Sequence, residues 1–316
     1  MRDKKKLGIL GILVLVISLL FLFQGLNANN FDYNISKRIP KLLAMIITGG
    51  AIAFSSLIFQ TLTNNRILTP SILGLDSLYG LSQTFVVFIF GAGSIFMINA
   101  KLNFIVSVSL MILNSLLLYK FVFKKNNNIF FLLLVGTVLG ILFKSLSTFM
   151  QVLIDPNEYQ ALQGKLFANF NNVNVDILII AIIIILIVFA FVYDDIKKLD
   201  ALLLGREQAI NLGIDYDKFS KKILLIVAVL VSVSTALVGP VTFLGLLVVN
   251  LSYQFMNSYK HKYLIIASIF ISILALVGGQ FFVERVFNYS STVSIIINFI
   301  GGVYFIYLLL RECREW

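Results

Sequence analysis

The chain has one cysteine, Cys313, and one histidine, His261, in 316 residues. A lone cysteine excludes an intrachain disulfide and a cysteine-built metal site. One histidine beside it leaves too few ligands for a transition-metal centre, and a serine-histidine-acid set would have to use His261. Charge is scarce too: only 13% of residues are Asp, Glu, Lys or Arg, against about 25% in soluble domains. Acids are rarest inside the apolar segments, where only Asp76, Glu284 and Asp176 come near. Carriers driven by protons or sodium place such acids in mid-membrane, so their scarcity argues for energy from another subunit. No Gly-x-x-x-x-Gly-Lys-Ser/Thr loop and no His-Glu-x-x-His pair occurs. No long polar stretch exists to form a second, soluble domain. The net charge of +10 therefore has no nucleic-acid-binding module to serve. A single transmembrane domain, 1–316, without catalytic residues or cofactor, is the expectation.

What the chain does have is apolar length. Hydrophobic residues make up 59% of it, and mean hydropathy is +0.97. Ile177–Val192 is nearly pure Ile, Leu, Ala, Val and Phe, and Leu7–Phe23, Phe130–Phe143, Ile223–Val238, Tyr263–Val277 and Ile295–Leu310 read alike. A crossing needs about 20 apolar residues, and helices apolar all round suit lipid, because a helix satisfies its own backbone groups. Ten spans are predicted: 7–25, 39–62, 71–92, 102–122, 129–153, 176–193, 223–238, 241–256, 263–283 and 293–310. The basic start Met1–Lys6 leads into a run too long for a signal peptide, with no small-residue cleavage site before Asn27–Asn30, so 7–25 reads as a retained span. Gly239-Pro240 divides one apolar stretch in two. Pro40 and Pro70 mark first turns, where proline is tolerated.

Lys and Arg give the orientation. With the N-terminus inside, 18 of the 25 fall inside, 6 outside, and Lys144 alone lies within a span. That bias predicts a multi-pass protein of the cell membrane with both termini cytoplasmic. It also makes the outside cations Arg38, Lys41 and Arg285 exceptions needing a reason; interfacial snorkelling is the plain one. Arg38 and Lys41 share a helix face at i, i+3 spacing. Lys144 is costly inside a bilayer and rarely faces lipid there; it lines a path, is buried against carbonyls, or snorkels to the interface. Asn114, Gln151 and Asn298 are span polars that either line a path or pin helices. The longest inside break, Asp194–Lys222, mixes signs and spaces Leu199, Leu202, Leu203, Ile210 and Leu212 as in short amphipathic helices, with Gly205 and Gly213 as punctuation. A solvated linker needs no such leucine pattern; a docking surface does.

Four segments resemble the permease subunits of the siderophore and cobalamin importers, the FecCD-type permeases of type II ABC importers. They are Arg38-Ile39-Pro40-Lys41 followed by Gly49–Ala53, Gln60–Asn65 and Pro70–Gly74; Leu203-Leu204-Gly205-Arg206-Glu207-Gln208-Ala209-Ile210-Asn211-Leu212-Gly213; Gly239-Pro240-Val241-Thr242-Phe243-Leu244-Gly245-Leu246; and Ile300–Leu310. They run in the family's order over about 36–311. Three positions depart from the pattern: Arg66 follows Asn65 where the family has proline, Val249-Asn250 replace Pro-His, and Val303 replaces proline. Ser71–Thr84 is similar to permeases for catecholate-type siderophores such as petrobactin.

The resemblance implies one permease subunit of an ATP-driven ferric-siderophore importer, not an enzyme. Its implied partners are a second permease, two cytoplasmic ATPase subunits, an extracytoplasmic binding protein and the lipid bilayer, with no nucleic acid. Arg38, Lys41 and Arg285 would meet acidic residues of the binding protein. Leu203, Gly205, Glu207, Ala209, Leu212 and Gly213 would couple to the ATPases. Lys144 would lie on a span that lines the pathway, and Gly239, Pro240, Gly301 and Gly302 would serve helix packing. A cobalamin or haem permease of the same fold is the alternative, and a secondary carrier built on inverted repeats is the alternative from another class.

Overall fold

A computed structural model describes residues 2–25, 31–125 and 129–312; Asn27–Asn30 and Cys313 lie outside the described residues. All regular structure in them is helical: α1 (Arg2–Phe23), α2 (Phe31–Thr63), a 3-10 turn (Pro70–Leu73), α3 (Leu75–Phe90), α4 (Ile95–Ile98), α5 (Ala100–Lys125), α6 (Ile129–Leu153), α7 (Pro156–Leu166), α8 (Val175–Val192), α9 (Ile196–Leu202), α10 (Arg206–Asn211), α11 (Tyr216–Val238), α12 (Leu244–Phe255), α13 (His261–Arg285) and α14 (Val293–Glu312). Among the described residues eight helices are long and apolar enough to cross a membrane, and α3 and α12 are shorter apolar helices. Together they match the ten expected spans.

Helices α2, α11 and α13 form the interior. Phe54, Leu57, Ile58 and Phe59 of α2, Leu224, Val227 and Leu230 of α11, and Leu264 and Leu276 of α13 are essentially inaccessible. The outer helices α1, α6, α8 and α14 instead expose large apolar side chains such as Leu15, Ile141, Phe191 and Val303. In water such a surface would drive aggregation; acyl chains or another apolar helix can cover it.

Four differences from the expected boundaries bear on the sites. Helix α2 starts at Phe31, so Pro40 lies inside it and leaves the carbonyl four residues earlier without its amide donor. The predicted span 71–92 is a 3-10 turn followed by α3, because Gly74, at φ +77°, breaks the helical path. Helix α11 begins at Tyr216, with the Asp215 side chain accepting from the Lys218 amide, so the last part of the 194–222 segment belongs to a long helix. His261 is not a loop residue but the fully buried first residue of α13.

Polar side chains hold α3 inside the apolar bundle. Gln83 Nε2 donates to Ser107 Oγ of α5 at 2.8 Å, and Asn103 Nδ2 returns a bond to Gln83 Oε1 at 3.0 Å. On the other side Thr84 Oγ1 meets Ser147 Oγ of α6 at 2.8 Å, and Gln151 Nε2 donates to Thr84 Oγ1 at 3.1 Å. Gln151 therefore pins helices. Asn298 Oδ1 accepts from the Phe243 amide at 3.4 Å, joining α14 to the start of α12. In an apolar medium each unmade bond is expensive, so these pairs fix register as well as contact.

Candidate translocation and coupling surfaces

At one end of the bundle, α9 and α10 lie across the ends of α2, α11 and α13. Leu199, Leu202 and Ala209 point inward and are buried, whereas Leu204, Ile210 and Leu212 are 59%, 50% and 62% exposed. Glu207 is exposed beside them, and Leu203 is half-buried. Of the expected coupling residues, Ala209 therefore packs the helix down, and Leu212 and Glu207 face outward. Gly205 and Gly213 adopt φ of +96° and +84°, a backbone region that glycine enters without strain. Gly205 turns the chain between α9 and α10, and Gly213 turns it between α10 and α11. The result is an apolar stripe with charged edges, on short helices whose own inward face is already filled. Next to it, a recess of about 250 Å³ is lined by Gln60, Asn64, Arg66, Leu203, Tyr253 and Tyr259. Arg66, which stands where the sequence pattern expected proline, lies over Tyr253 at 4.6 Å and Tyr259 at 5.5 Å.

The opposite end brings Arg38, Lys41 and Arg285 together, in unequal settings. Half-buried Arg38 donates through Nη1 to the carbonyls of Leu22 and Gln24, both at 2.8 Å. Exposed Arg285 donates to the same Gln24 carbonyl at 3.1 Å. Two guanidinium groups thus satisfy the last turn of α1, where unpaired carbonyls carry partial negative charge. Lys41 is only 14% exposed and pairs with Glu284 at 3.4 Å. Asn171 Oδ1 accepts from Lys41 at 3.1 Å and from Gln280 at 2.9 Å, and Gln280 also donates to Glu284 at 2.8 Å. Arg285 offers an open cation here, and Lys41 is turned into the molecule.

Lys144 projects from the exposed face of α6 in the company of Thr137, Ser145 and Thr148, all exposed. It is not buried among carbonyls of its own chain. The packing glycines separate. A Cβ on Gly239 would lie 2.9 Å from the Phe167 carbonyl oxygen, and one on Gly301 would lie 2.5 Å from Phe243 Cβ, whereas Gly302 has nothing within 4 Å. Pro240 continues the break that Gly239 opens after α11. Asp76, in the first turn of α3, accepts from Thr235 Oγ1 of α11 at 3.3 Å. Among the described residues no group of three His, Cys, Asp or Glu could hold a metal ion.

Two features were missed in the sequence. Helix α7 follows a visible signal, Asp155 as N-cap accepting from the Asn157 amide with Pro156 at the first position. It is short and polar, and it packs along α3 with Asn157, Gln160 and Gln163 exposed. Burial holds the Lys165 ammonium near its end below the usual lysine range. The second feature is a buried contact: His261 Nδ1 meets Asp200 Oδ1 at 2.7 Å and Nε2 meets Thr61 Oγ1 at 2.7 Å.

Known proteins fit this arrangement. The pattern of the FecCD transport family matches residues 7–311. The chain is 60% identical over 317 residues, all of both chains, to the petrobactin import system permease protein YclO of Bacillus subtilis. It is 36% identical over 279 residues to the petrobactin import system permease protein FatC of Bacillus anthracis, covering 88% of this chain and 79% of that one. Among solved structures, a metal-chelate type ABC transporter in an inward-facing conformation superposes with a TM-score of 0.84 at 20% identity, over 98% of this chain and 99% of that one. That likeness shows the fold.

Proposed function

The chain belongs to the FecCD transport family, and from that premise we propose a permease subunit that imports ferric petrobactin. It is a membrane-spanning transport subunit of an ATP-driven siderophore importer and not an enzyme. Petrobactin as cargo rests on the 60% full-length identity to a petrobactin import permease, and that observation carries the reading.

The mechanism divides among surfaces. Two permeases enclose a path, and the exposed face of α6 with Lys144 lines it. An ammonium there favours an anionic ferric chelate, because a charge acts more strongly where water is sparse. The α9–α10 end faces the cytoplasm, as do both termini, and its stripe of Leu204, Ile210 and Leu212 docks an ATPase subunit. At the outer end Arg38 and Arg285 attract acidic groups of a substrate-binding protein, and Lys41 holds the loop and helix that present Arg285. ATP binding and hydrolysis shift the path between outward-open and inward-open, and no covalent chemistry falls to this chain.

The test is uptake of radiolabelled ferric petrobactin by a strain whose own petrobactin permeases are deleted. Expression of this chain with its neighbouring permease, ATPase and binding protein should restore uptake. Restored uptake of cobalamin or haem instead would reassign the cargo, and uptake independent of the ATPase would remove the importer reading.

A further inference from the structure

His261 carries three bonds that join three helices. Its ring is fully buried. Nδ1 and the backbone amide both meet Asp200 Oδ1 of α9, at 2.7 and 2.8 Å, so one carboxylate oxygen also caps the first turn of α13. Nε2 meets Thr61 Oγ1 in the last turn of α2 at 2.7 Å, and Thr61 Oγ1 donates to the Leu57 carbonyl at 2.9 Å. A carboxylate only accepts, so Nδ1 carries hydrogen. If the Thr61 hydroxyl keeps donating to Leu57, Nε2 carries hydrogen too. If the hydroxyl turns to donate to Nε2, the ring is neutral. Asp200, His261 and Thr61 stay joined in both arrangements, so the link does not depend on the ring's charge.

The same two helices are joined again at their far ends. Lys41 of α2 pairs with Glu284 of α13 at 3.4 Å, about 30 Å along α2 from Thr61 at 1.5 Å per residue. Apolar contacts between α2 and α13 hold them close but are not directional; polar clamps at both ends stop one sliding past the other. Helix α9 is also packed on α2 and α13, with Leu199 and Leu202 buried, and among the described residues the Asp200–His261–Thr61 chain adds the hydrogen bonds to that contact.

We propose that Asp200, His261 and Thr61 form the link by which a docked ATPase, moving α9, moves α2 and α13 as one body, with His261 as its positioning residue. The proposal rests on the reading of α9 and α10 as the ATPase-docking surface. Its consequence is that the clamp carries displacement from the ATPase end toward Lys41 and Arg285 at the opposite end.

The experiment uses the full complex, with both permeases, ATPase and binding protein, in proteoliposomes supplied with ferric petrobactin. ATP hydrolysed and iron chelate transported are measured in the same vesicles. Thr61→Val removes one oxygen without changing shape. It should leave complex assembly and hydrolysis intact and cut chelate moved per ATP about tenfold, the size of a typical coupling between sites; Thr61→Ser should restore the ratio. Asp200→Ala, at a carboxylate that is 39% exposed, should lower the ratio in the same way and keeps the test open if Thr61→Val fails to reach the membrane. A normal ratio in both variants, with the ATPase bound, overturns the link alone. Failure of the unaltered permease to retain any ATPase overturns the docking reading instead.

Discussion

Replacing Gly74 by alanine should unseat α3. Gly74 has φ of +77°, and an L-residue in left-handed backbone costs about 1–2 kcal/mol. The added Cβ would also lie 3.0 Å from the Cα and amide nitrogen of Gly140 and 3.1 Å from the Gly136 carbonyl oxygen. These are backbone atoms of α6 at a Gly-x-x-x-Gly surface, so no side chain can rotate away. Overpacking of this kind adds about 1–3 kcal/mol, for a total of roughly 2–5 kcal/mol. Gly302→Ala is the control. It lies inside α14 with nothing within 4 Å, and alanine in a helix gains up to about 1 kcal/mol over glycine. Both variants would be purified in one detergent and heated, with the folded, monodisperse fraction followed against temperature. Gly74→Ala should lose its folded fraction well below the unaltered protein, and Gly302→Ala should not. Equal behaviour of the two would refute the argument that backbone contact at Gly74 sets the position of α3.

Three further outcomes are expected. Leu212→Asp changes a side chain that is 62% exposed, so it should leave membrane level unchanged while abolishing ATPase co-purification. Because Arg38 and Arg285 also hold the end of α1, neutral variants are cleaner than reversals: Arg38→Gln with Arg285→Gln should weaken binding-protein affinity by up to about thirtyfold at low salt, at no more than about 1 kcal/mol for each pair, and the difference should shrink as salt rises. Lys144→Ala should slow uptake of the anionic chelate with docking and assembly normal, and Lys144→Glu should slow it further, as read by parallel assays of membrane level and iron uptake.

The spans were legible because lipid asks only for apolar length, which Ile177–Val192 displays without any partner. Helix α7 was not, because an eleven-residue, mostly polar segment packed along α3 looks like an outside loop until its neighbour is known. The apolar stripe of α9 and α10 was readable as a leucine pattern, but its division into buried Ala209 and exposed Leu212 depends on what lies beneath α10. The setting of His261 was hidden for a simpler reason: its partners stand 61 and 200 residues away in the chain, and no local pattern encodes such a meeting. Gly301 and Gly302 are neighbours with the same composition signal, yet Phe243 lies against only one of them.

Helices α3 and α12 have a mechanical consequence. At 16 and 12 residues they measure about 24 and 18 Å at 1.5 Å per residue, short of the roughly 30 Å of a hydrocarbon core. The chain leading into each is not α-helical and passes through Gly74 or Gly239. A continuous helix bends only by stretching its ladder of hydrogen bonds, whereas a glycine joint bends by turning two dihedral angles. Among the described residues eight long helices are therefore struts, and two short ones sit on knuckles where the bundle has its places to bend.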